Sequence, residues 1–461
     1  MKYTVLVNKD NKIKDSYYKH CNLINTKNEL NEDIQVEEET YNNYLLLKEY
    51  LKELNIYIDI DDSYRSISTQ EEIYNKYLNL NGQDYCDKYV AVPSFSEHHT
   101  GLAIDIMLKV NDKYLREDMD QFAYINTFEE IHKHLYKYGF ILRYPKDKES
   151  ITGYNYEPWH IRYVGKLPAK IIYDNKLTLE EYLSSFGTVL YINKPKGVTS
   201  FDVVNEISKK FGIKRVGHTG TLDPLATGVL IVTVGTACKV VELLTSNDKE
   251  YIATVDLGYS TDTLDIEGKV LEKEEIKDNL NIEEVLNSFQ KTYLQEVPIY
   301  SAVKVNGKKL YEYARKNIDI ELPKKEVTVK EIKLLSKNNN NFIFKCSVTK
   351  GCYIRSLIKD IGKELNTLTT MSDLIRTRQG NVYLDETDEI DTEFTLHSIA
   401  ESLNYDIIQV DSILEKKISN GMKINNEYNI KDKVIFINES NKLLGIYEKD
   451  DNYLKVWKNF I

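Results

Sequence analysis

The chain has 461 residues, 42 % of them hydrophobic and 29 % charged, which is ordinary for a folded protein and long enough for two or three domains. Its net charge of −11 argues against a protein that binds nucleic acid indiscriminately over its whole surface. The five cysteines form no CxxC pair, the N-terminus lacks the apolar core of a signal peptide, and no stretch reaches the roughly 18 apolar residues that cross a bilayer. We therefore predict a cytoplasmic protein that does not associate with membranes.

The charge is distributed unevenly along the chain. Residues 1–185 contain 23 Lys and Arg against 31 Asp and Glu, a balance of −8, and the remainder contains 38 against 41, a balance of −3. The first part therefore has no charge-based case for binding RNA, whereas the second leaves room for a local basic face.

The first part of the chain alternates helical patterns with short apolar runs. The helical patterns are YNNYLLLKEYLKEL (41–54) and FEEIHKHLYKYGF (128–140), and LTLEEYLSS (177–185) is typical of a closing helix. This arrangement predicts a small α+β domain over residues 1–182.

Strand-type runs dominate after residue 187. They are TVLYINK (188–194), GVLIVTVG (228–235), YIATVDLGY (251–259) and FIFKCSVTK (342–350). Helical segments lie between them, so we predict a domain with a mixed sheet and peripheral helices over residues 187–400. Two further strand signals, KVIFIN and LLGIYEK, predict a small β-rich module over residues 405–461.

The run RVGHTGTLDPLATGVL (215–230) contains three glycines and a proline, which indicate a fixed loop that leads into a strand. A carboxylate held in such a loop, here Asp223, can be buried against a cation that keeps it ionised. The residues alone leave a simpler interpretation open, because Asp-Pro is also a common turn whose carboxylate accepts backbone hydrogen bonds.

This run resembles the signature of the bacterial tRNA pseudouridine synthase B family, and the other motifs of that family follow in the same order from about residue 187 to the C-terminus. They are KPKG with TSF (194–201), KEYIATVDLGYSTDTLDIEG (249–268), VPIYSAVKVNGKKLYEYAR (297–315), VTKGCYIRSLIKDIG (348–362) and LIRTRQG (374–380). The resemblance implies an isomerase that converts the T-loop uridine of tRNA to pseudouridine without a cofactor.

By this resemblance, Asp223 is the nucleophile and Arg355 is the arginine that pairs with it. A covalent route and a glycal route both remain open.

Other site residues are implied in the same way. Tyr251 would stack on the flipped uracil, Tyr353 and Leu374 would line its pocket, His218 would hold the RNA backbone, and Asp265 would be a polar pocket residue. The tail over residues 405–461 is similar to the small PUA-like RNA-binding module of the family.

The first domain contains a second candidate site. Within SEHHTGLAID (96–105), His98 precedes Asp105 by seven positions, and Glu157 and His160 follow about fifty residues later. Two histidines and an aspartate can bind Zn²⁺ and leave one position open, and a nearby glutamate can act as a base. Each of these residues is also compatible with an ordinary buried position.

The pattern resembles the D-alanyl-D-alanine carboxypeptidase family of the VanY type over residues 1 to about 182. The resemblance implies that His98, Asp105 and His160 bind Zn²⁺, that Glu157 is the general base, and that Arg65 steadies the scissile carbonyl or the substrate carboxylate. The implied substrate is a short peptide of the D-Ala-D-Ala type. His99, His132 and His134 match no ligand position, and we interpret them as structural.

These observations favour a fusion of an RNA isomerase with a working zinc D,D-carboxypeptidase. Two alternatives remain. The N-terminal domain could be a binding module without turnover, or peptidase activity could be the main role. The intact ligand set counts against the first alternative, and the intact pair Asp223 and Arg355 counts against the second. The sequence predicts no oligomeric state.

Overall fold

The computed structural model describes residues 2–116, 119–245, 248–277 and 279–460. The chain divides into two compact units. Unit 1 is Met1–Phe186 with Ser208–Lys214, and unit 2 is Gly187–Ile207 with Arg215–Ile461. Among the described helices, none combines the length and the apolar character needed to cross a membrane.

Unit 1 mixes short helices with an antiparallel sheet. Its helices are α1 (Asp15–Tyr18), α2 (Glu38–Glu53), α3 (Ile67–Asn81), α4 (Gln83–Tyr89), α5 (Ile125–His132), α6 (Glu149–Thr152), α7 (Lys166–Asn175) and α8 (Leu179–Ser185). Its strands are β1 (Leu23–Lys27), β2 (Asp33–Glu37), β3 (Ile58–Asp62), β4 (Ala103–Val110), β5 (Lys113–Leu115), β6 (Phe140–Leu142) and β7 (His160–Tyr163). Short 3-10 helices span Glu97–Thr100, Met119–Tyr124 and Leu135–Tyr138.

Strand β4 organises the sheet of unit 1, whose order is β3-β4-β7-β6 with β5 paired to β4. The first six residues of β4 are buried, and helix α2 contributes Tyr44, Leu47 and Leu51 to the same core at helical spacing. The antiparallel register sets Asp105 opposite His160. This register brings together two parts of the chain that are distant in sequence.

The segment FEEIHKHLYKYGF is not one helix, contrary to the prediction. Helix α5 ends at His132, and a separate 3-10 turn follows over Leu135–Tyr138. Gly139 has φ 81° and ends that turn, so that Phe140 can begin β6.

Unit 2 contains the larger sheet. Its helices are α9 (Ser200–Phe211, of which the last four residues belong to unit 1), α10 (Val241–Thr245), α11 (Ile282–Ser288), α12 (Leu310–Arg315), α13 (Ile354–Leu365) and α14 (Ser412–Ser419). Its strands are β8 (Gly187–Lys194), β9 (Val216–Thr219), β10 (Thr227–Gly235), β11 (Lys249–Leu257), β12 (Tyr259–Thr261), β13 (Val270–Lys273), β14 (Thr292–Glu296), β15 (Lys304–Val305), β16 (Lys308–Lys309), β17 (Lys324–Lys337), β18 (Asn341–Val348), β19 (Thr369–Gln379), β20 (Val382–Tyr383), β21 (Asp406–Gln409), β22 (Ile424–Asn425), β23 (Lys433–Ile437), β24 (Leu443–Asp450) and β25 (Tyr453–Asn459). Short 3-10 helices span Thr236–Val240 and Leu384–Glu386.

The main sheet of unit 2 runs in the order β14-β17-β18-β11-β19-β10-β8, with β9 on β10 and β20 on β19. It is mixed, as predicted, because β10 and β19 pair in parallel. Gly228 lies at this junction with φ 102°, and a Cβ there would lie 2.3 Å from the carbonyl oxygen of Arg376. Helices α11 and α13 cover one face, where Leu286 and Leu357 join a fully buried cluster with strand residues such as Val255.

The run 215–230 is not entirely a loop. Residues Val216–Thr219 form β9 and pair with β10, and the loop is limited to residues 220–226. The turn at Gly220, which has φ 81°, allows the chain to reverse onto β10.

The last part of unit 2 is a small sheet in the order β21-β23-β24-β25-β22 with helix α14 against it. One side has its own core, which includes Ile418 and Phe436. The other side contributes Ile435 and Ile446 to a cluster with Val229 of the main sheet. The module therefore packs on the main sheet through apolar contacts.

Candidate functional site

Asp223 lies in the loop between β9 and β10, and two side chains from the segment 194–200 hold that loop in place. The Ser200 hydroxyl donates to the Leu222 carbonyl at 3.1 Å and accepts from the Leu222 N–H at 2.9 Å. The buried Lys194 ammonium donates to three carbonyls, those of Pro195 (2.8 Å), Val198 (2.7 Å) and Pro224 (3.3 Å). Both residues therefore fix the conformation of the loop.

Arg355, at the start of α13, contacts the Asp223 carboxylate through two guanidinium nitrogens. Its Nε lies 2.9 Å from Asp223 Oδ2, and its Nη2 donates to Oδ1 at 3.2 Å. The guanidinium also donates to the carbonyls of Thr263 (2.9 Å) and Tyr300 (3.0 Å). A guanidinium fixed in this way presents its fork to one carboxylate in a single orientation.

Two opposing effects act on the pKa of Asp223, and burial is the larger. Burial raises the pKa of Asp223 above its ordinary value, and the neighbouring Arg355 charge opposes that rise. The Asp223 side chain is still 34 % exposed. The carboxylate is therefore paired yet open to a ligand.

A pocket of about 310 Å³ opens over Asp223. Its wall includes Asp223, Lys249, Tyr251, Lys325, Lys350, Tyr353, Arg355, Leu374 and Arg376. The predicted residues Tyr251, Tyr353 and Leu374 thus surround the carboxylate, and Tyr251 and Leu374 lie on the neighbouring strands β11 and β19. The pocket has the size and aromatic lining that suit a base.

The two remaining predicted residues of unit 2 lie beside the pocket. Asp265 is buried, with Oδ2 3.7 Å from Arg355 Nη1, and Oδ1 accepts from the Thr263 hydroxyl at 2.6 Å. His218 is half-buried on β9 and contacts the Thr221 hydroxyl at 3.0 Å. Neither residue is part of the pocket wall, so both would act from its edge.

Unit 1 brings His98, Asp105 and His160 together as one buried cluster. His98 Nε2 lies 3.1 Å from Asp105 Oδ2, and His160 Nδ1 lies 3.0 Å from Asp105 Oδ1. Gly101 permits the tight turn between His98 and β4, because its φ of 69° lies in the left-handed region that favours glycine. The three ligand-type atoms lie within 4.8 Å of one another.

The cluster favours a positive charge between its members. Burial opposes ionisation of Asp105, but the adjacent His98 and His160 outweigh it and hold the pKa of Asp105 well below its usual range. Burial also disfavours a charged His160, yet Asp105 raises the pKa of His160 to about 9. Such a site attracts a cation.

The donor set fits Zn²⁺, which takes imidazole nitrogens and carboxylate oxygens. Asp105 Oδ1 is buried and has no hydrogen-bond partner among the described residues. A buried carboxylate oxygen without a donor is expensive unless a cation satisfies it. The residues present therefore fit a zinc ion.

Glu157 and Arg65 flank the cluster and line a pocket of about 490 Å³. Glu157 Oε2 lies 3.6 Å from His160 Nδ1. Arg65 donates to Asp105 Oδ2 at 2.9 Å and to Asp62 Oδ2 at 2.6 Å. His99 lies outside the cluster, since its ring nitrogens contact the Ser94 N–H and the Arg65 carbonyl.

Similarity to known proteins identifies the family of unit 2. A family model described as "TruB family pseudouridylate synthase (N terminal domain)" matches residues 208–354. A tRNA pseudouridine synthase B of Fusobacterium nucleatum is 48 % identical over 43 % of this chain and 69 % of that protein. The one from Oceanobacillus iheyensis is 43 % identical over 56 % of this chain and 92 % of that protein.

The chain belongs to the TruB family of pseudouridylate synthases. The sequence prediction of this family is confirmed.

The N-terminal part carries a second family match, which the TruB relatives do not cover. A family model described as "D-alanyl-D-alanine carboxypeptidase" matches residues 33–166. This match confirms the predicted VanY-type resemblance. The crystal structure of a vancomycin-resistance D,D-pentapeptidase VanY in complex with Zn(II) is 27 % identical, with a TM-score of 0.34 over 40 % of this chain and 99 % of that chain.

Sequence reasoning did not single out three residues that matter to the geometry. Lys249 and Arg376 line the pocket of the TruB unit, and Glu97 lies behind His160 in unit 1. All three stand inside motifs that carry the family resemblances, KEYIATVDLGY, LIRTRQG and SEHHTGLAID. Their position in those motifs is the signal that could have identified them.

Proposed function

We propose that unit 2 isomerises the T-loop uridine of tRNA to pseudouridine, with Asp223 as the nucleophile. The observation that carries this proposal is the two-nitrogen contact of Arg355 with Asp223, 2.9 and 3.2 Å, at a pocket of about 310 Å³. The tRNA pseudouridine synthase B relatives support the choice of substrate.

The reaction breaks the C1′–N1 bond of the uridine and forms a C1′–C5 bond after the uracil has rotated. The C5 proton leaves and N1 gains a proton, so atoms and charge balance without an external reactant. Asp223 either adds to the nucleotide or removes a proton to begin glycal formation. In both routes the carboxylate must be ionised, and Arg355 favours that form.

The uridine must leave the RNA stack to reach Asp223, which costs a few kcal/mol. Tyr251 offers an aromatic face for the extruded uracil, and Tyr353 and Leu374 complete the wall. His218 would contact the RNA backbone at the edge of the pocket, and Asp265, whose Oδ2 lies 3.7 Å from Arg355 Nη1, would help to orient that guanidinium.

Pseudouridine mapping of an unmodified tRNA transcript tests this proposal. Wild-type protein should convert the T-loop uridine, and Asp223→Asn should not. Asp360→Asn is the matched control, since it makes the same change at a residue that pairs with Lys363. Folded wild-type protein that converts no uridine would overturn the proposal.

We infer a second activity for unit 1, a zinc-dependent D-alanyl-D-alanine carboxypeptidase. The observation that carries it is the buried cluster of His98, Asp105 and His160, whose ligand-type atoms lie within 4.8 Å of one another. These residues would hold the zinc ion, which when bound polarises a carbonyl and favours ionisation of water.

The residues of the chain would do the rest of the chemistry. Glu157 is positioned to accept a proton from water and to return it to the leaving amine. Arg65, at the same pocket, would bind the carboxylate of the substrate or steady its scissile carbonyl. The rings of Tyr154 and Trp159 also line this pocket.

Release of D-alanine from an acylated tripeptide that ends in D-Ala-D-Ala tests this activity. Wild-type protein loaded with Zn²⁺ should release it, whereas Glu157→Gln should retain zinc and release none. If wild-type protein binds zinc and peptide without turnover, unit 1 is a binding module.

The PUA-like RNA-binding role of residues 405–461 and a cytoplasmic location stay predictions.

A further inference from the structure

Glu97 is a buried carboxylate beside the proposed zinc site. It belongs neither to the set of metal ligands nor to the groups that would transfer protons. Glu97 is 2 % exposed. Its Oε1 accepts hydrogen bonds from Arg143 Nε at 2.8 Å and from Arg162 Nη1 at 2.5 Å. Two arginines therefore occupy one carboxylate oxygen and fix the orientation of the group.

The other oxygen faces His160. Glu97 Oε2 lies 3.7 Å from His160 Nε2, and both atoms are buried without a hydrogen-bond partner among the described residues. The opposite edge of the same ring presents Nδ1 to Asp105. His160 thus stands between the ligand cluster and Glu97.

The two arginines are themselves anchored, which makes Glu97 a rigid support. Arg143 is fully buried and donates to both carboxylate oxygens of Glu180 on α8, at 2.6 and 3.0 Å. Arg162 is fully buried on β7 and donates to the carbonyls of Tyr3 (3.1 Å) and Val5 (2.7 Å). Buried charges of this kind are tolerated because each is paired and hydrogen-bonded.

We propose that Glu97 is a positioning residue of the metal site. With the ion bound, its Oε2 would accept the Nε2–H of His160 across a gap that is 3.7 Å in this structure, which would leave the Nδ1 lone pair free to bind the metal. A carboxylate behind a ligating imidazole fixes the ring orientation and the tautomer, and strengthens the ligand. The proposal rests on the zinc site of the proposed peptidase.

The arginines make Glu97→Gln an informative change. Because Arg143 and Arg162 both donate toward the Oε1 position, the amide oxygen of a glutamine must face them. Its NH₂ group then faces His160 Nε2 and favours the tautomer with the proton on Nδ1. That proton occupies the position where the metal would bind. Glutamine should therefore reduce zinc affinity by more than the loss of the Glu97 charge alone would do.

The experiment compares full-length wild-type protein with Glu97→Gln and with the matched control Glu180→Gln. Glu180 contacts the same Arg143 but does not face His160. Zn²⁺ affinity is measured by competition with a chromophoric chelator, and the visible absorption of the Co²⁺ form reports the ligand geometry. We expect Glu97→Gln to lose about 10- to 100-fold in affinity and to change the Co²⁺ spectrum, and Glu180→Gln to retain both properties.

Equal zinc affinity and identical Co²⁺ spectra of wild type and Glu97→Gln would overturn the role of Glu97 while leaving the zinc site intact. A wild-type protein that binds no zinc would instead overturn the zinc site and this proposal with it. Should Glu97→Gln not fold, ¹⁵N-histidine NMR of zinc-loaded wild type decides, with His160→Gln for assignment. A proton on Nε2 of His160 supports the proposal, and a proton on Nδ1 contradicts it.

Discussion

Both units place an aspartate against an arginine, yet the two pairs differ in what else surrounds the carboxylate. Asp223 faces Arg355 at a pocket whose wall also contains tyrosine, leucine, lysine and arginine side chains but, among the residues that the structure describes, no histidine. Asp105 contacts Arg65 and also lies between the imidazoles of two histidines. The arginine is common to the two sites, and the neighbours distinguish them.

The difference decides the chemistry available to each carboxylate. At Asp223, burial raises the pKa, and the charges of Arg355 and Lys194 oppose that rise. The side chain is 34 % exposed, so the carboxylate is accessible for the role of nucleophile that we propose. At Asp105, burial opposes ionisation, but the adjacent His98 and His160 outweigh it and hold the pKa well below its usual range, which suits a metal ligand and not a proton acceptor. An Asp-Arg pair alone therefore does not indicate a catalytic role.

Metal removal should separate the two sites most sharply. Dialysis against a strong zinc chelator should abolish D-alanine release, because His98, Asp105 and His160 need the ion for the reaction. Pseudouridine formation by the same sample should be unchanged. Both activities are measured after dialysis and again after Zn²⁺ is added back. A loss of pseudouridine formation that Zn²⁺ restores would contradict the claim that only the site in unit 1 needs a metal.

Removal of the arginine should have the next largest effect, on the synthase alone. We expect Arg355→Met to slow single-turnover pseudouridine formation by about 10²- to 10³-fold, the scale of losing a fixed charged donor. Arg355 opposes the rise in the pKa of Asp223. Without it the pKa rises further, and since the active carboxylate is ionised, the acid limb of the pH–rate profile should move to higher pH.

The pH–rate profile of Arg355→Lys provides the control for charge. Lysine keeps the positive charge but loses the two-nitrogen contact. Its acid limb should therefore lie closer to that of wild type, while its rate stays reduced. An unshifted limb in Arg355→Met would show that Arg355 does not control the ionisation of Asp223.

The residues that the sequence singled out lie together in each unit, whereas some elements around them differ from the prediction. Asp223 and Arg355 are 132 positions apart, and only the family resemblance could join them, because their meeting depends on how α13 packs against the sheet. His98 and Asp105 are close in sequence, but His160 joins them through the β4–β7 register. A register of this kind follows from the whole sheet and not from local pattern.

Two kinds of structural feature, a helix boundary and the burial of charged side chains, do not follow from the local sequence pattern. The boundary at His132 depends on the left-handed turn at Gly139 and on the strand that follows it, which override the helical pattern. Lys249 and Glu97 are charged residues, which pattern analysis places at the surface, yet both are buried. Only the tertiary structure shows which neighbours make their burial tolerable.

Lys249 offers a smaller test of the difference between the sites, since it gives the synthase pocket a positive wall. Burial and the charges of Arg376 and Lys350 lower the pKa of Lys249 to about 8. Lys249 loses its charge as the pH rises through that value, so tRNA affinity should weaken from pH 7 to pH 9. We expect Lys249→Gln to raise the Kd several-fold at pH 7 and to reduce the slope of log K against log salt by about 0.7.

Filter binding at several salt concentrations measures this effect. Lys330→Gln is the matched control, because Lys330 pairs with Asp248 and is not part of the pocket wall. It should change the salt slope less than Lys249→Gln does. Equal slopes for the two variants would mean that Lys249 contacts no phosphate.

The smallest expected effect concerns stability of unit 1 rather than chemistry. Thr178 caps α8, accepting from the Glu181 N–H at 3.1 Å while the Glu181 carboxylate accepts from the Thr178 N–H at 2.8 Å. Loss of such a capping box costs about 1 kcal/mol, so Thr178→Ala should lower the Tm of unit 1 by about 2–4 °C. Ser184→Ala, on the same helix, only removes a bond to the Glu180 carbonyl and should shift it less. Calorimetry of the zinc-loaded variants measures the Tm of unit 1. Pseudouridine formation at 25 °C should be unchanged, because α8 belongs to unit 1, where its Glu180 pairs with Arg143.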